Sequence, residues 1–345
     1  MDPKKVGQTI AHLRKQAGFT QKGLADRLCI SDKAVSKWER GLSVPDIAYL
    51  GRLSVLLDAD IDTILEGKHI SRADCWRGLL ISDCKNTEVS LLTMVYDKPL
   101  VYYLLSNFLL AGICEVMIVC TETEEASLHG LIGNGEALGV SLRYQTNCGI
   151  YDVICHNRDF FTDCDIMTVF AQSVLHSASL TYLFQRAMLN KSQHTILAVP
   201  AVNPANKKNR LIFDETKRVV GQGAVVTQYN YCALPVLFSS SSLLLQDIDC
   251  DVELGDLINH LAKRGSLYVE TANRGIMDIP IETFEDVLDA SNMVRILQNC
   301  TGNYLACLEE IAWRRGFMNA QMLQNAQIKY AETQYGNYLL QLSKE

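Results

Sequence analysis

No two cysteines in this chain form a C-x-x-C pair, and no cysteine stands at metal-ligand spacing from any of the seven histidines. The twelve cysteines are scattered, several inside apolar runs such as Ile113-Cys114 and Val119-Cys120. That excludes the common zinc frameworks and predicts buried, reduced thiols in a cytoplasmic protein. No secretory leader is expected, because an amphipathic helix follows Met-Asp-Pro-Lys-Lys directly. Long apolar runs are absent. The longest, Leu100 to Cys114, is broken by Ser106 and Asn107 and falls short of the ~20 residues that a membrane span needs. There is no internal repeat and no low-complexity tract. Excess positive charge is also lacking: the formal net charge is −7, which excludes a protein that coats nucleic acid over its whole surface.

What is there divides unevenly. A chain of 345 residues with 48% hydrophobic side chains can build two or three cored domains. Residues 1–45 hold nine Lys/Arg against four Asp/Glu, a local +5 that leaves −12 for the rest. A small basic head on an acidic body fits local contact with DNA. Residues 4–66 read as five short helices. Ile10 and Leu13 share a face, as do Leu24, Ala25 and Leu28, and Val35 with Trp38. Gly18 closes the first helix, Thr20 and Ser31 can cap the second and third, and Gly41 is a stop before Pro45. Ile47, Leu50, Leu53, Leu57, Ile64 and Leu65 complete the expected core.

The helix from Ser31 to Arg40 is slim enough for a major groove. Lys33, Ser36 and Lys37 stand at i, i+3 and i+4, making one polar, basic face. Asp32 and Lys33 lie at the N-terminal end, where base edges are read in such motifs. Lys37 and Arg40 suit phosphates, and Gln21 at a helix start suits a phosphate or a base edge. The segment TQKGLADRLCISDKAVSKWERG resembles the helix-turn-helix of the lambda-repressor/Cro-like (XRE) family through Gln21, Leu24-Ala25, Ser31 and the Trp38 to Gly41 run. The resemblance implies a double-stranded DNA operator contacted by Gln21, Ser31, Asp32, Lys33, Ser36, Lys37 and Arg40. One such head binds weakly, so dimeric presentation to half-sites about 34 Å apart, or a multiple, is expected.

Residues 69–76 read as a linker between a head of residues 1–68 and a body of residues 77–345. In the body, RGLLIS, EVMIVC, SLRYQ, IMTVFA and HTILAVP are short strand-type runs. Helical stretches at 98–111, 122–132 and 177–188 alternate with them, which predicts a mostly parallel, Rossmann-like α/β sheet with covered faces. From about residue 282 the pattern is helical to the end. YDKPLVYYLLSNFLLAGI (96–113), VELGDLINHLAKRGSLYVETANRGIMD (252–278), EDVLDASNMV (285–294), EEIAWRRGFMNAQ (309–321) and YGNYLL (335–340) resemble glucose-1-phosphate thymidylyltransferases, which join a sugar phosphate to dTTP.

Departures from that family gather where its chemistry lies. A Gly-rich loop with an arginine should follow the first strand, so that backbone N–H groups and a cation meet the triphosphate. Here RGLLIS runs into DCKNTEVSLLTMVYDKP, shorter by roughly eight residues, and the lysine before the YDKP motif is lost with the loop. The resemblance aligns the two Mg²⁺-binding aspartates with Gln172 and Pro280, the active-site lysine with Gly223, and the thymine-reading glutamine with Asp152. Asp278 could substitute for the second aspartate only if its strand slips. These losses predict a body without transferase activity, a pseudo-enzyme with no catalytic residues, no metal and no cofactor.

Other positions match. Glu253 matches a sugar-contacting glutamate, or is a helix N-terminal carboxylate. Arg274, Glu310, Ile311 and Arg314 match a second, regulatory nucleotide site near a subunit interface, and two arginines suit a diphosphate. An ion pair of Glu310 with an arginine is the plainer alternative. The wall expected near His176 is not retained. His156 and His176 have no neighbouring nucleophile and read as surface or cleft residues, while Tyr102-Tyr103 and the leucines at 243–245 read as core. The resulting expectation is a cytoplasmic transcription regulator, a homodimer or homotetramer with no membrane contact, whose body binds a nucleotide-sugar effector. A transferase with a regulatory head, a ligand-free dimerisation module and an adaptor that docks on a true transferase stand beside it.

Overall fold

A computed structural model describes residues 2–17, 19–57, 59, 61–66, 76–82, 89–171, 173–190, 193–200, 210–223, 231–272 and 275–342. Gly18, the 69–75 linker stretch, Gln172 and Arg274 lie outside the described residues. The chain divides into two units, Met1–Arg72 with Ala312–Glu345, and Ala73–Ile311.

The first unit opens with α1 (Pro3–Gln16), α2 (Gln21–Leu28), α3 (Asp32–Glu39), α4 (Ile47–Leu56) and α5 (Ile61–Glu66). The starts are set by side-chain caps. Thr20 accepts from Gly23 N at 2.9 Å, Ser31 from Ala34 N at 3.3 Å and Asp46 from Ala48 N at 3.0 Å. Each satisfies an orphan backbone donor of the first turn. Val6, Ile10, Leu13, Leu24, Ala25, Leu28, Val35, Trp38, Leu50, Leu53, Leu57 and Ile64 form the core. Helices α1 and α3 cross closely at Gly7, where an added Cβ would lie 2.1 Å from Trp38 O. Gly41 follows α3 at φ +67°, a left-handed stop. Ile47 departs from expectation: it is 84% exposed. At 100° per residue it lies roughly 85° from the centre of the face that buries Leu50, Leu53 and Leu57.

The second unit is built on a nine-stranded mixed sheet. Its parallel part runs in the order β5–β4–β1–β6, from β1 (Trp76–Ile81), β4 (Glu115–Cys120), β5 (Ser141–Thr146) and β6 (Asp165–Phe170). The short β2 (Met94–Val95) and β3 (Lys98–Pro99) pair with each other before α6 (Leu100–Ala111). Helices α7 (Glu122–Ile132), α8 (Ile150–His156) and α9 (Arg158–Phe161) connect the parallel strands. After β6 come β7 (Ser173–His176), α10 (Leu180–Met188), β8 (His194–Pro200), β9 (Arg210–Phe213) and β10 (Val219–Gln222). Then follow β11 (Tyr231–Ser240), α11 (Ser241–Asp247), α12 (Leu254–Arg264), β12 (Leu267–Thr271) and β13 (Met277–Pro280).

Strand β11 is the joint of the sheet. It runs antiparallel to β6, β8 and β9, while β8 and β12 form a further parallel pair. Pro235 sits inside β11, where it cannot donate to the ladder, and the register to β8 shifts between Ala233 and Leu237. Outside this sheet, β13 pairs with β7. The expected α/β alternation is present, and the sheet is mixed because β11 and β10 run against the other strands. The core between sheet and helices includes Leu79, Met117, Val153, Phe161, Ile166, Ile196, Leu237 and Leu257. Helix α13 (Phe284–Thr301) starts at a capping box of Thr283 and Asp286. Helices α14 (Leu308–Arg314), α15 (Ala320–Lys329) and α16 (Gln334–Leu342) follow. No helix among the described residues is long and apolar enough to cross a membrane. All ten described cysteines are free. Cys120, Cys164 and Cys307 are buried as expected, but Cys29, Cys250 and Cys300 are exposed.

Candidate functional site

Helix α3 buries Val35 and Trp38 and turns its other side outward. Lys33, Lys37 and Arg40 fall within roughly 60° of one another on that outer side, and all three are exposed together with Ser31 and Asp32. Ser36 is half-buried between the two faces. Asp32 accepts from Lys33 N at 2.8 Å, which steadies the first turn, and Arg40 Nε donates to Ser36 O at 3.3 Å.

Gln21 is placed differently from a freely presented base reader. Its Nε2 donates to Glu39 Oε2 at 2.7 Å. Arg14 Nε and Nη2 donate to the same carboxylate at 2.5 and 3.2 Å, and Arg14 Nη1 donates to Phe19 O at 2.6 Å. Glu39 thus gathers α1 and α2 onto the end of α3 in a buried network. Sequence periodicity did not reveal it, because a charged pair 25 residues apart leaves no local signal.

In the body, parallel strand order reverses about β1, whose neighbours are β4 and β6. Ligands of open α/β sheets bind outside the carboxyl ends of the strands at such a reversal. Ser82 N donates to Val119 O at 3.2 Å and Ala171 N to Ile81 O at 2.9 Å, which lines up the three strand ends. Of the segment that stands in place of the nucleotide loop, residues 83–99, residues 83–88 lie outside the described residues.

Beside these ends, β13 presents Asp278. It shares a face with Pro280, because side chains alternate along a strand. Its carboxyl is held above the usual carboxylate range by burial, with Ser173 opposing. Asp278 Oδ1 and Ser173 Oγ are both buried, and the Ser173 hydroxyl is the group that opposes the shift. The resemblance aligns a Mg²⁺-binding aspartate with Pro280, two residues along β13. Among the described residues no three His, Cys, Asp or Glu side chains gather to hold a metal. Asp278 offers one carboxylate, which alone does not make such a site, so no chemical step is drawn through a metal.

Asp152 is exposed at the start of α8, and its backbone N–H donates to Asp251 Oδ1 at 3.1 Å. Gly149 N and Tyr151 N donate to the same carboxylate at 3.0 and 2.8 Å. Asp251 therefore caps the segment aligned with thymine recognition, a role hidden by the 100-residue separation. Glu253 is exposed at the N-cap of α12 without a capping bond from its side chain. Glu310, Ile311 and Arg314 stand on α14, where Glu310 and Arg314 are one turn apart; Arg274 lies outside the described residues.

His156 is exposed, and burial holds the His176 imidazole below its ordinary range. Buried His194 contacts Ser239 through Nδ1 and Asp247 Oδ2 through Nε2, the latter at 3.1 Å. The order resembles a catalytic triad, but Ser239 is 3% exposed and His194 is 0% exposed, so no substrate reaches them. Tyr103 is buried and donates to Val95 O, and Leu244 is core, while Tyr102, Leu243 and Leu245 are half-buried.

Comparison with known proteins assigns both parts. A helix-turn-helix model matches residues 10–64, and a nucleotidyl transferase model matches residues 87–219. A glucose-1-phosphate thymidylyltransferase from Neisseria meningitidis is 30% identical over 263 residues, 73% of this chain and 91% of that protein. The enzyme of the same name from Mycolicibacterium smegmatis is 27% identical and is covered over 98% of its length, against 77% of this chain. A Bacillus anthracis structure assigned to the same activity, in complex with sucrose, superposes with a TM-score of 0.52 at 16% identity. It covers 64% of this chain and 95% of its own, and it supports the fold.

The expectation of a pseudo-enzyme is thereby corrected. Relatives along nearly their whole length carry the name of an enzyme, and departures at single aligned positions do not establish lost activity. The chain belongs to the glucose-1-phosphate thymidylyltransferase family and carries a helix-turn-helix domain at its N-terminal end.

Proposed function

We propose that this chain is a sequence-specific DNA-binding regulator whose nucleotidyltransferase body binds a nucleotide or nucleotide sugar and mediates assembly. The observation that carries the reading is the outward basic face of α3, joined in one chain to a body whose relatives are named for making a sugar nucleotide. Asp32 and Lys33 read base edges in the major groove, with Ser36 beside them. Ser31, Lys37 and Arg40 hold phosphates, and Gln21 braces the motif through Glu39 as well as facing the backbone. The chain acts in the cytoplasm as a homodimer or homotetramer, which brings two heads to two half-sites. Arg274, Glu310, Ile311 and Arg314 form the effector site, with Glu253 on the sugar side of the body. The ligand shifts the placement of the heads, and it does so only if it prefers one of the two arrangements.

Isothermal titration of the full-length protein with dTTP, dTDP-glucose and dTDP-rhamnose, with and without Mg²⁺, tests this. Saturable binding that disappears in the Arg274→Ala, Arg314→Ala double variant is the expected result. No binding across the panel would leave the body as an assembly module and defeat the sensor reading. Kinship over 91% of an enzyme's length favours a second reading, retained nucleotidyl transfer under a regulatory head. Pyrophosphate release from dTTP and glucose 1-phosphate is its assay.

A further inference from the structure

Helix α13 has one covered side and one uncovered side. It runs over roughly 27 Å at 1.5 Å per residue and packs against β13 and β2. Val287, Ala290 and Val294 are its buried residues. Polar bonds fasten it as well. Tyr96 N donates to Ser291 Oγ at 2.9 Å, and Gln298 Nε2 donates to Asp97 Oδ2 at 3.2 Å. These contacts hold one side of the helix to the body.

The other side carries a row. Phe284, Leu288, Asn292, Ile296 and Cys300 recur every four residues, so they form one continuous ridge, and all five are exposed. Phe284 is 64%, Leu288 61% and Ile296 49% exposed. Met94 and Tyr96, on the hairpin that the Ser291 bond fastens to α13, are exposed too. Single exposed apolar residues are ordinary. A contiguous apolar area marks a contact surface.

The charges beside the ridge say what covers it. Asp289 and Arg295 are exposed and stand three residues before and after Asn292. In an antiparallel pair of α13 helices about a two-fold axis at Asn292, residues equally far before and after Asn292 come level across the pair. Leu288 is then level with Ile296 of the second copy, Phe284 with Cys300, and Asp289 with Arg295. Asn292 meets itself, and its amide is both donor and acceptor. A parallel pair would instead set Asp289 level with Asp289 and Arg295 with Arg295, like charges that repel. Self-complementarity of this kind is what a two-fold interface requires.

We propose that the exposed ridge of α13 packs antiparallel on the same ridge of a second copy of this chain. This rests on the reading that the chain is a homo-oligomer, and it names the surface and the register of the contact. A two-fold pair is also the symmetry that two heads need on inverted half-sites.

The test is sedimentation equilibrium of the full-length protein over a range of concentrations. Leu288→Glu and Ile296→Glu should each weaken association at least about 100-fold. Both positions are exposed in the single chain, and circular dichroism checks that each variant folds. Asp289→Arg and Arg295→Asp should each weaken association about tenfold. The two swaps combined in one chain should restore it to within about threefold of wild type. The two residues lie roughly 120° apart around their own helix, so the rescue reads pairing between copies. Association that is unchanged in folded Leu288→Glu and Ile296→Glu overturns the proposal and leaves the oligomer reading standing. Loss in those variants without rescue by the combined swap overturns the antiparallel register. Wild-type protein that stays monomeric at every concentration overturns both the proposal and the oligomer reading.

Discussion

Replacing Glu39 by Gln should cost the helix-turn-helix about 3–5 kcal/mol, the range for removing one partner of a buried ion pair. The Glu39 carboxylate accepts from Arg14 Nε at 2.5 Å, Arg14 Nη2 at 3.2 Å and Gln21 Nε2 at 2.7 Å. The Arg14 and Glu39 side chains are 10% and 7% exposed, so the weak-surface-pair discount does not apply. Glutamine keeps the shape but strands the Arg14 charge, and its own amide turns donors toward donors. Replacing both partners with apolar residues, Arg14→Met with Glu39→Leu, should cost at least about 2 kcal/mol less than Glu39→Gln alone, because no unpaired charge remains buried. Native-state hydrogen exchange of the α3 amides in the full chain reads local opening without assuming two-state unfolding of the whole protein. Protection in Glu39→Gln within about 1 kcal/mol of wild type would refute the reasoning.

Gly7→Ala should destabilise the head by about 1–3 kcal/mol, since the added Cβ would lie 2.1 Å from Trp38 O; thermal melting checks it against the roughly 1 kcal/mol of helix propensity that alanine gains. Cys29→Gly should stabilise the head by about 0.5–1 kcal/mol, because Cys29 caps α2 at φ 57°; an unchanged or lower melting temperature would count against it. Asp278→Asn should raise stability at neutral pH. Burial raises the folded pKa of Asp278 above its unfolded value, so its contribution is present below the unfolded value and is lost as pH rises through the folded one. The gain should therefore shrink on acidification, which denaturant melts across that window would show.

The head was legible because its signals are local. Thr20 and Ser31 cap the helices they precede, and Val35 with Trp38 marks the inner face of α3. Ile47 is apolar yet exposed, because its turn position faces outward. In the body, the parallel strands announced themselves as short apolar runs. Strand β11 did not, since Pro235 argues against a central strand until a register shift accommodates it. Asp251 and Glu39 escaped notice for one reason. Each acts on residues brought near by sheet order or helix crossing, and spacing along the chain carries no trace of that. The aligned losses at Pro280 and Gly223 misled for another reason: departures at single positions do not establish lost activity in a chain so similar to named enzymes.

The most direct test of the central claim is operator affinity of the full-length protein, on a duplex selected from random sequence, with and without saturating dTDP-glucose. The account predicts at least about a tenfold change in Kd, a coupling of roughly 1.4 kcal/mol, abolished by Arg274→Ala with Arg314→Ala. Identical isotherms, with the ligand shown to be bound, would contradict it.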